Sequence, residues 1–317
     1  MTNQHIINIL FHNLIDYAGL FPPANLSLKD ALKTYQNHLN SNHKWMIGPF
    51  IIPIERIEEI LSYKNSFKNT LSLSILGTKA STEETCIDAL KKDTHKLTYF
   101  QEKHSDNVMI KGYECQLPSH SLSMDYLSTL QNILAPLPWS IFMEFPCLPK
   151  DDNWNTLSDT IQTLSTIHNI GIKLRCGGLF KDAFPTTQQI GRLIKECHQN
   201  KVPLKGTAGL HHPIRHYSKT YNTTMHGFLN ILYACLYVMT KDNTSDTFNE
   251  KLIDILETDN PNSFSFISNE IRFKSKNNHD ETFTIDHIKQ LRKIGFKSYG
   301  CCSIDDPVND LKKMEWL

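Results

Sequence analysis

The sequence predicts an α/β fold, a (β/α)8 or TIM-like barrel, and three observations predict it. Short, branched apolar runs alternate with helical patterns along most of the 317 residues, the order that gives right-handed crossovers and a parallel sheet. The runs are apolar on both faces, as buried parallel strands are. The rival, a doubly wound open sheet, usually carries a glycine-rich first turn, and no G-x-G-x-x-G follows the first strand pattern. No P-loop occurs either, so no dinucleotide or nucleoside triphosphate site of those kinds is expected.

The elements follow in order. After an N-terminal helix and the stiff Phe21-Pro22-Pro23 turn, a helix is expected over Ser27–Leu39, capped by Ser27 and carrying Leu28, Ala31, Leu32 and Tyr35 on one face. Strands are expected at Trp45–Ile52, Leu71–Leu76, Val108–Cys115, Trp139–Phe145, Gly171–Arg175 and Val202–Thr207. Helices fall between them at Ile54–Tyr63, Thr82–Lys92, Ser121–Ala135, Asn155–His168 and Thr187–Asn200. The last third is less regular: an apolar helix over Met225–Met239, a hairpin within Phe264–Lys274, a helix over Ile285–Ile294 and a closing strand over Phe296–Cys302. That makes a barrel with an irregular seventh unit. Residues 1–40 are read as an N-terminal helical extension packed on a barrel domain of residues 41–317, with Asp16–Ala24 outside the strand count.

Composition excludes several classes. Thirty-three basic and 33 acidic residues balance to zero, which argues against a general nucleic-acid or anionic-membrane binder. No apolar run is long enough to span a bilayer, and the first residues lack a basic n-region. The eight cysteines contain no C-x-x-C pair, so reduced thiols and a cytoplasmic location are expected. A homodimer is the expected assembly, two-fold dimers being the commonest soluble oligomers.

Ligands of parallel α/β folds sit at the carboxyl ends of strands, so polar residues there carry the most weight. Period two places Lys173 and Arg175 on one side of their strand, ahead of Gly177 and Gly178, which let backbone approach a ligand closely. Two buried cations require an anion or a carboxylate. Lys205 and Thr207 share a face of the next strand, and His211 and His212 follow it. Only one of those neighbouring histidines points inward from an extended segment. Glu144 ends a very apolar strand, where it either neutralises Lys173 or moves protons, and Glu114 is a second such acid. Ser303 lies in the small polar loop after the closing strand, an expected anion-binding loop. Cys301, Cys302 and Cys176 have no imidazole or cation in a local motif, so these thiols are read as packed.

The same stretches carry a resemblance. DYAGLFPPA (16–24), WMIGPFIIP (45–53), KLRCGG (173–178), KGTAGLHHP (205–213), HGFLN (226–230) and SYGCCSIDDPVNDL (298–311) are similar to motifs of an uncharacterised bacterial protein family, to which no activity is attached. Its closing motif is more often Gly-Ser-Cys-Ser followed by an aromatic. Gly300-Cys301-Cys302-Ser303-Ile304 departs from it, which favours Cys302 over Cys301. At the level of fold alone, Lys173 and Lys205 on consecutive strands resemble the lysine-bearing strands of class I aldolase-type barrels.

The favoured expectation is a lyase or aldolase-like enzyme acting on a small anionic carbonyl metabolite without a cofactor. Lys205 is the expected amine nucleophile, its pKa depressed by Lys173. Arg175 holds the anion, with Gly177, Gly178, Thr207 and Ser303 beside it, and Glu144, His211 or His212 carries protons. One alternative is a metal-assisted hydrolase or isomerase using the histidines with a carboxylate and a divalent ion, although no H-x-H or H-E-x-x-H element is present. The other is a non-catalytic barrel whose cationic mouth captures an anion.

Overall fold

The computed structural model describes residues 3–118, 122–150, 154–178, 180–243, 245, 247–267, 269–276 and 280–317. Eight parallel strands close into a barrel: β1 (Ile15–Tyr17), β2 (Ile47–Pro53), β3 (Leu71–Leu76), β4 (Val108–Gln116), β5 (Ser140–Glu144), β6 (Ile170–Arg175), β7 (Leu204–Thr207) and, after five further strands outside the barrel, β13 (Phe296–Cys301). The expected (β/α)8 fold is therefore the observed one. Helices α1 (Asn3–Phe11), α2 (Leu28–Leu39), α3 (Glu83–His104), α4 (Met124–Leu134), α5 (Asn155–Leu164) and α6 (Thr187–Gln199) cover it, and a 3-10 run, Ile54–Ser62, stands in for a helix after β2. Several helices start where their sequence says they should. Ser27, Thr82, Ser123 and Thr186 each accept a backbone N–H of the first turn, and Thr82 and Thr186 complete capping boxes.

One expectation is reversed at the start of the chain. Ile15–Tyr17 is the first barrel strand, pairing in parallel with β2 on one side and β13 on the other. Residues 1–40 are thus not only an extension: they supply β1 and α2, and they bring Asp16 into the barrel. Three residues are too few to show an alternation of period two, and an acid in the middle reads as loop. Gly48 on β2 is what admits that acid, since a Cβ there would stand 2.1 Å from Asp16 Oδ1.

Helix α3 outruns its expected end at Lys92 and reaches His104. Asp93 looks like a terminating polar residue but is buried, accepting hydrogen bonds from Thr78 N, Thr78 Oγ1 and the Tyr113 hydroxyl. With that acid satisfied, Leu97 and Phe100 continue the apolar face.

The irregular unit lies between β7 and β13. It contains the hairpin β8 (His216–Ser218) and β9 (Thr223–Met225), α7 (Phe228–Thr240), α8 (Phe248–Glu257), the antiparallel sheet β10 (Phe264–Ile267), β11 (Glu270–Phe273) and β12 (Glu281–Thr284), and α9 (Ile285–Gln290), which runs into a π-turn at Leu291–Gly295. It adds no barrel strand; the eighth is β1. Helix α7 is buried at every position from Phe228 to Val238, as a helix apolar on all sides must be. Phe228 stacks on Tyr299 of β13 with ring centroids 5.1 Å apart. The chain ends with α10 (Asp305–Lys313).

Candidate functional site

Charged residues on five barrel strands, β1 and the contiguous β4 to β7, meet inside the barrel. Lys173 on β6 stands in register between Glu144 on β5 and Lys205 on β7. Lys173 Nζ lies 2.9 Å from Glu114 Oε2 and 3.0 Å from Glu144 Oε2. Lys205 Nζ lies 2.5 Å from both Glu114 Oε1 and Asp16 Oδ2. Arg175 donates its Nε to Glu144 Oε1 at 2.6 Å. The Ser74 hydroxyl donates to Glu114 Oε1 and the Ser298 hydroxyl to Asp16 Oδ2. Three cations thus face three carboxylates in one connected chain: Arg175, Glu144, Lys173, Glu114, Lys205, Asp16. Charges so deep in the molecule persist only when paired in this way.

The pairing sets the protonation of each member. Burial raises the Glu114 carboxyl, but Lys173 and Lys205 outweigh it and hold the group well below the usual carboxylate range. Burial likewise raises Glu144, and Lys173 with Arg175 overcomes it. For Asp16 burial wins against Lys205, and its pKa rises; its Oδ1 accepts no hydrogen bond among the described residues. Burial lowers both lysines, yet Asp16 and Glu114 leave Lys205 above its ordinary value, and Glu114 and Glu144 do the same for Lys173. The expectation that Lys173 depresses Lys205 is therefore wrong. Glu114 sits between them and turns a repulsion into two attractions.

The two lysines differ in access. Lys205 is 2% exposed, over the face of the Phe142 ring. Lys173 lines a cavity of about 730 Å3 at the carboxyl ends of β5 and β6. Arg175, its side chain 46% exposed, lines it too, together with Lys181, Arg215, Glu257 and His226. The His226 Nε2 lies 2.7 Å from Pro185 O, which makes it the N–H donor, while its buried Nδ1 has no partner among the described residues. Burial pulls this imidazole down to about 4, so it is neutral at ordinary pH and its Nδ1 is an acceptor. A second cavity, of about 500 Å3, opens at the other end of the barrel by Lys201, Val202 and Gly295, away from these groups.

The remaining expected residues lie on the same rim. Thr207 is in register with both Arg175 and Gly300. Gly177 and Gly178 follow β6; a Cβ on Gly177 would meet the Phe184 ring and Gly209 Cα, and one on Gly178 would meet Ala183. These glycines serve packing between loops, and neither lines the cavity. After β7 the chain turns through two left-handed residues, Ala208 and Gly209. The neighbouring histidines then both reach carboxylates of α10: His211 Nδ1 is 3.0 Å from Asp306 Oδ2 and His212 Nδ1 is 2.5 Å from Asp310 Oδ2. Ser303 Oγ accepts the Asp306 backbone N–H, so it holds the first turn of α10. The thiol reading also changes. Cys302 Sγ lies 3.6 Å from His211 Nε2, an imidazole that no local motif announces.

Among the described residues no group of three or more His, Cys, Asp or Glu side chains is arranged to hold a metal ion, and no helix is long and apolar enough to cross a membrane. Comparison with protein-family models, curated proteins and solved structures found no match.

Proposed function

We propose that the protein is a lyase-like enzyme acting on a small anionic carbonyl metabolite in the cavity at the carboxyl ends of β5 and β6. One observation carries the reading. Lys173 is the lysine of the buried chain that opens on that cavity, and it shares Glu144 with the exposed Arg175. Lys205, the amine favoured by sequence, is enclosed and held by two carboxylates; it serves as their counter-cation.

At rest Lys173 is a protonated ammonium and cannot attack. A substrate carboxylate or phosphate arriving at the Arg175 fork competes with Glu144 for that cation. Glu144 then loses one of the two charges that hold its pKa down, and it becomes basic enough to take a proton from Lys173 at 3.0 Å. The freed amine attacks the carbonyl carbon, and the carbinolamine loses water with Glu144 returning its proton to the departing oxygen. The resulting iminium withdraws the electrons of an adjacent bond, which suits carbon–carbon cleavage or dehydration. His226 Nδ1 is the natural acceptor for a substrate hydroxyl.

Borohydride trapping tests the reading. The protein is incubated with small 2-oxo acids and phosphorylated aldehydes, reduced, and peptide-mapped. A reduced adduct on Lys173, absent from Lys173→Met, is the expected result. Anion binding without any lysine adduct would establish the non-catalytic, anion-capturing barrel instead.

A further inference from the structure

A different constellation stands on the neighbouring strand ends. Cys302 directly follows β13, His211 lies in the loop after β7, and Asp306 occupies the first turn of α10. The imidazole joins the other two through opposite ring nitrogens, Nε2 to the thiol at 3.6 Å and Nδ1 to the carboxylate at 3.0 Å. A sulfur nucleophile needs a base within reach and a third group that orients the base. Both requirements are met by residues up to 95 positions apart in sequence.

The surroundings hold this geometry in place. Gly209 adopts φ +73, and an added Cβ would stand 3.1 Å from Cys176 O and 3.3 Å from Gly177 Cα, so the turn that delivers His211 needs glycine there. Ser303 ties down the backbone of Asp306. The nine-residue helix α10 starts at Asp305, so its N-terminal end adjoins Cys302, and that end of a helix favours a thiolate. Burial lowers the His211 imidazole, while its bonds to Cys301, Cys302 and Asp306 raise it further, leaving it above the ordinary histidine range. Other charged or titratable neighbours include Tyr17 on β1, Tyr299 and Cys301 on β13, His38 of α2 paired with Asp305, Lys313 of α10, and the His212–Asp310 pair with His216 against it. Cys302 is 8% exposed, which admits only a narrow group.

We propose that Cys302, His211 and Asp306 form a second nucleophilic site that takes a small acyl group from an ester and hydrolyses it. With the proton already held on His211 Nε2, the Cys302 sulfur bonds to the acyl carbon. The carbon–oxygen bond to the alcohol breaks, and Nε2 returns the proton to that oxygen. Water then attacks the thioester with Nε2 taking its proton, the thiol is released, and the acid leaves. Asp306 is a positioning residue that orients the imidazole ring through Nδ1.

The test uses 4-nitrophenyl acetate with the full chain. A burst near one equivalent of nitrophenol is expected, with the acetyl group mapped to Cys302 by mass spectrometry of acid-quenched protein. His211→Asn should slow the burst at least about 100-fold, the low end for loss of a general base. Asp306→Asn should slow it less and shift its pH profile, which a merely structural role would not do. Acetylation of the exposed Cys147 instead, or a Cys302 rate equal in wild type and His211→Asn, would overturn the proposal. Should a variant fail to fold, the site of acetylation in the wild type still decides. Readout on Cys302 also keeps this result separate from trapping on Lys173.

Discussion

Glu114 is the residue on which both barrel lysines meet, and it is less than 3% exposed. Removing one member of a buried ion pair leaves a charge without its partner, at a typical cost of about 3–5 kcal/mol. Glu114→Gln should lower the unfolding free energy measured in urea by that order, and the double variant Glu114→Gln, Lys205→Met should recover only part of it, because Asp16 then loses its cation. A single-variant loss below about 1 kcal/mol, the size of a solvent-exposed pair, would show that the network is not held as described. At this scale sequence reasoning went part of the way. Lys173, Arg175, Lys205 and Glu144 stood out because a charge in an apolar strand demands a partner, and Glu114 stood out for the same reason. Asp16 did not, for want of a readable strand around it. The link from Cys302 to His211 spans 91 positions and leaves no local signal at all.

Among the elements, α7 shows how a polar residue can be required in an apolar helix. Asn230 is fully buried; its Nδ2 donates to Ile255 O and Thr258 O, and its Oδ1 accepts the Arg215 N–H. One side chain therefore ties α7 to the end of α8 and to the loop that carries Arg215 into the cavity. Asn230→Leu should destabilise the protein by about 2–4 kcal/mol, since buried backbone groups lose their partners at about 1–3 kcal/mol each. Chemical denaturation checks this, and a change within about 0.5 kcal/mol, typical of neutral surface positions, would argue against the tie. The helix itself was legible as a long apolar pattern. The length of α3 was not, because a buried Asp93 looks in sequence like any solvated acid.

For the whole molecule, the ionisable groups predict a lopsided pH profile. Glu114 and Glu144 lie below their ordinary values, so their stabilising contribution is present above about pH 4.3 and is lost as pH falls further. His211 and Asp16 lie above theirs; what they contribute is present in acid and lost as pH rises through their folded values. Lys173 and Lys205 are also raised, and their contribution persists to about pH 10.4 before it declines. Thermal stability should therefore peak near pH 5–6 by these reference values, fall steeply in stronger acid and slope gently towards base. Calorimetry across pH 3–11 measures it; a maximum above about pH 8 would contradict these charge states. The barrel was legible at this scale because its strands repeat a signal many times over. Its closure was not, because the eighth strand is the shortest and lies before all the others.

That early strand has a consequence for the order in which the molecule assembles. Its neighbours in the finished barrel are β2 and β13, and Asp16 is bound by Ser298, 282 positions away. During synthesis the first strand precedes both of its neighbours, gaining β2 early and β13 only after every other barrel strand. Lys205 reaches the waiting acid only after two thirds of the chain has been made, and the final seam must wait for the last strand. Closure therefore comes after the other barrel strands are in existence. Until it happens, the nascent chain carries an open sheet edge that other chains could pair with, from the first barrel strand to the last.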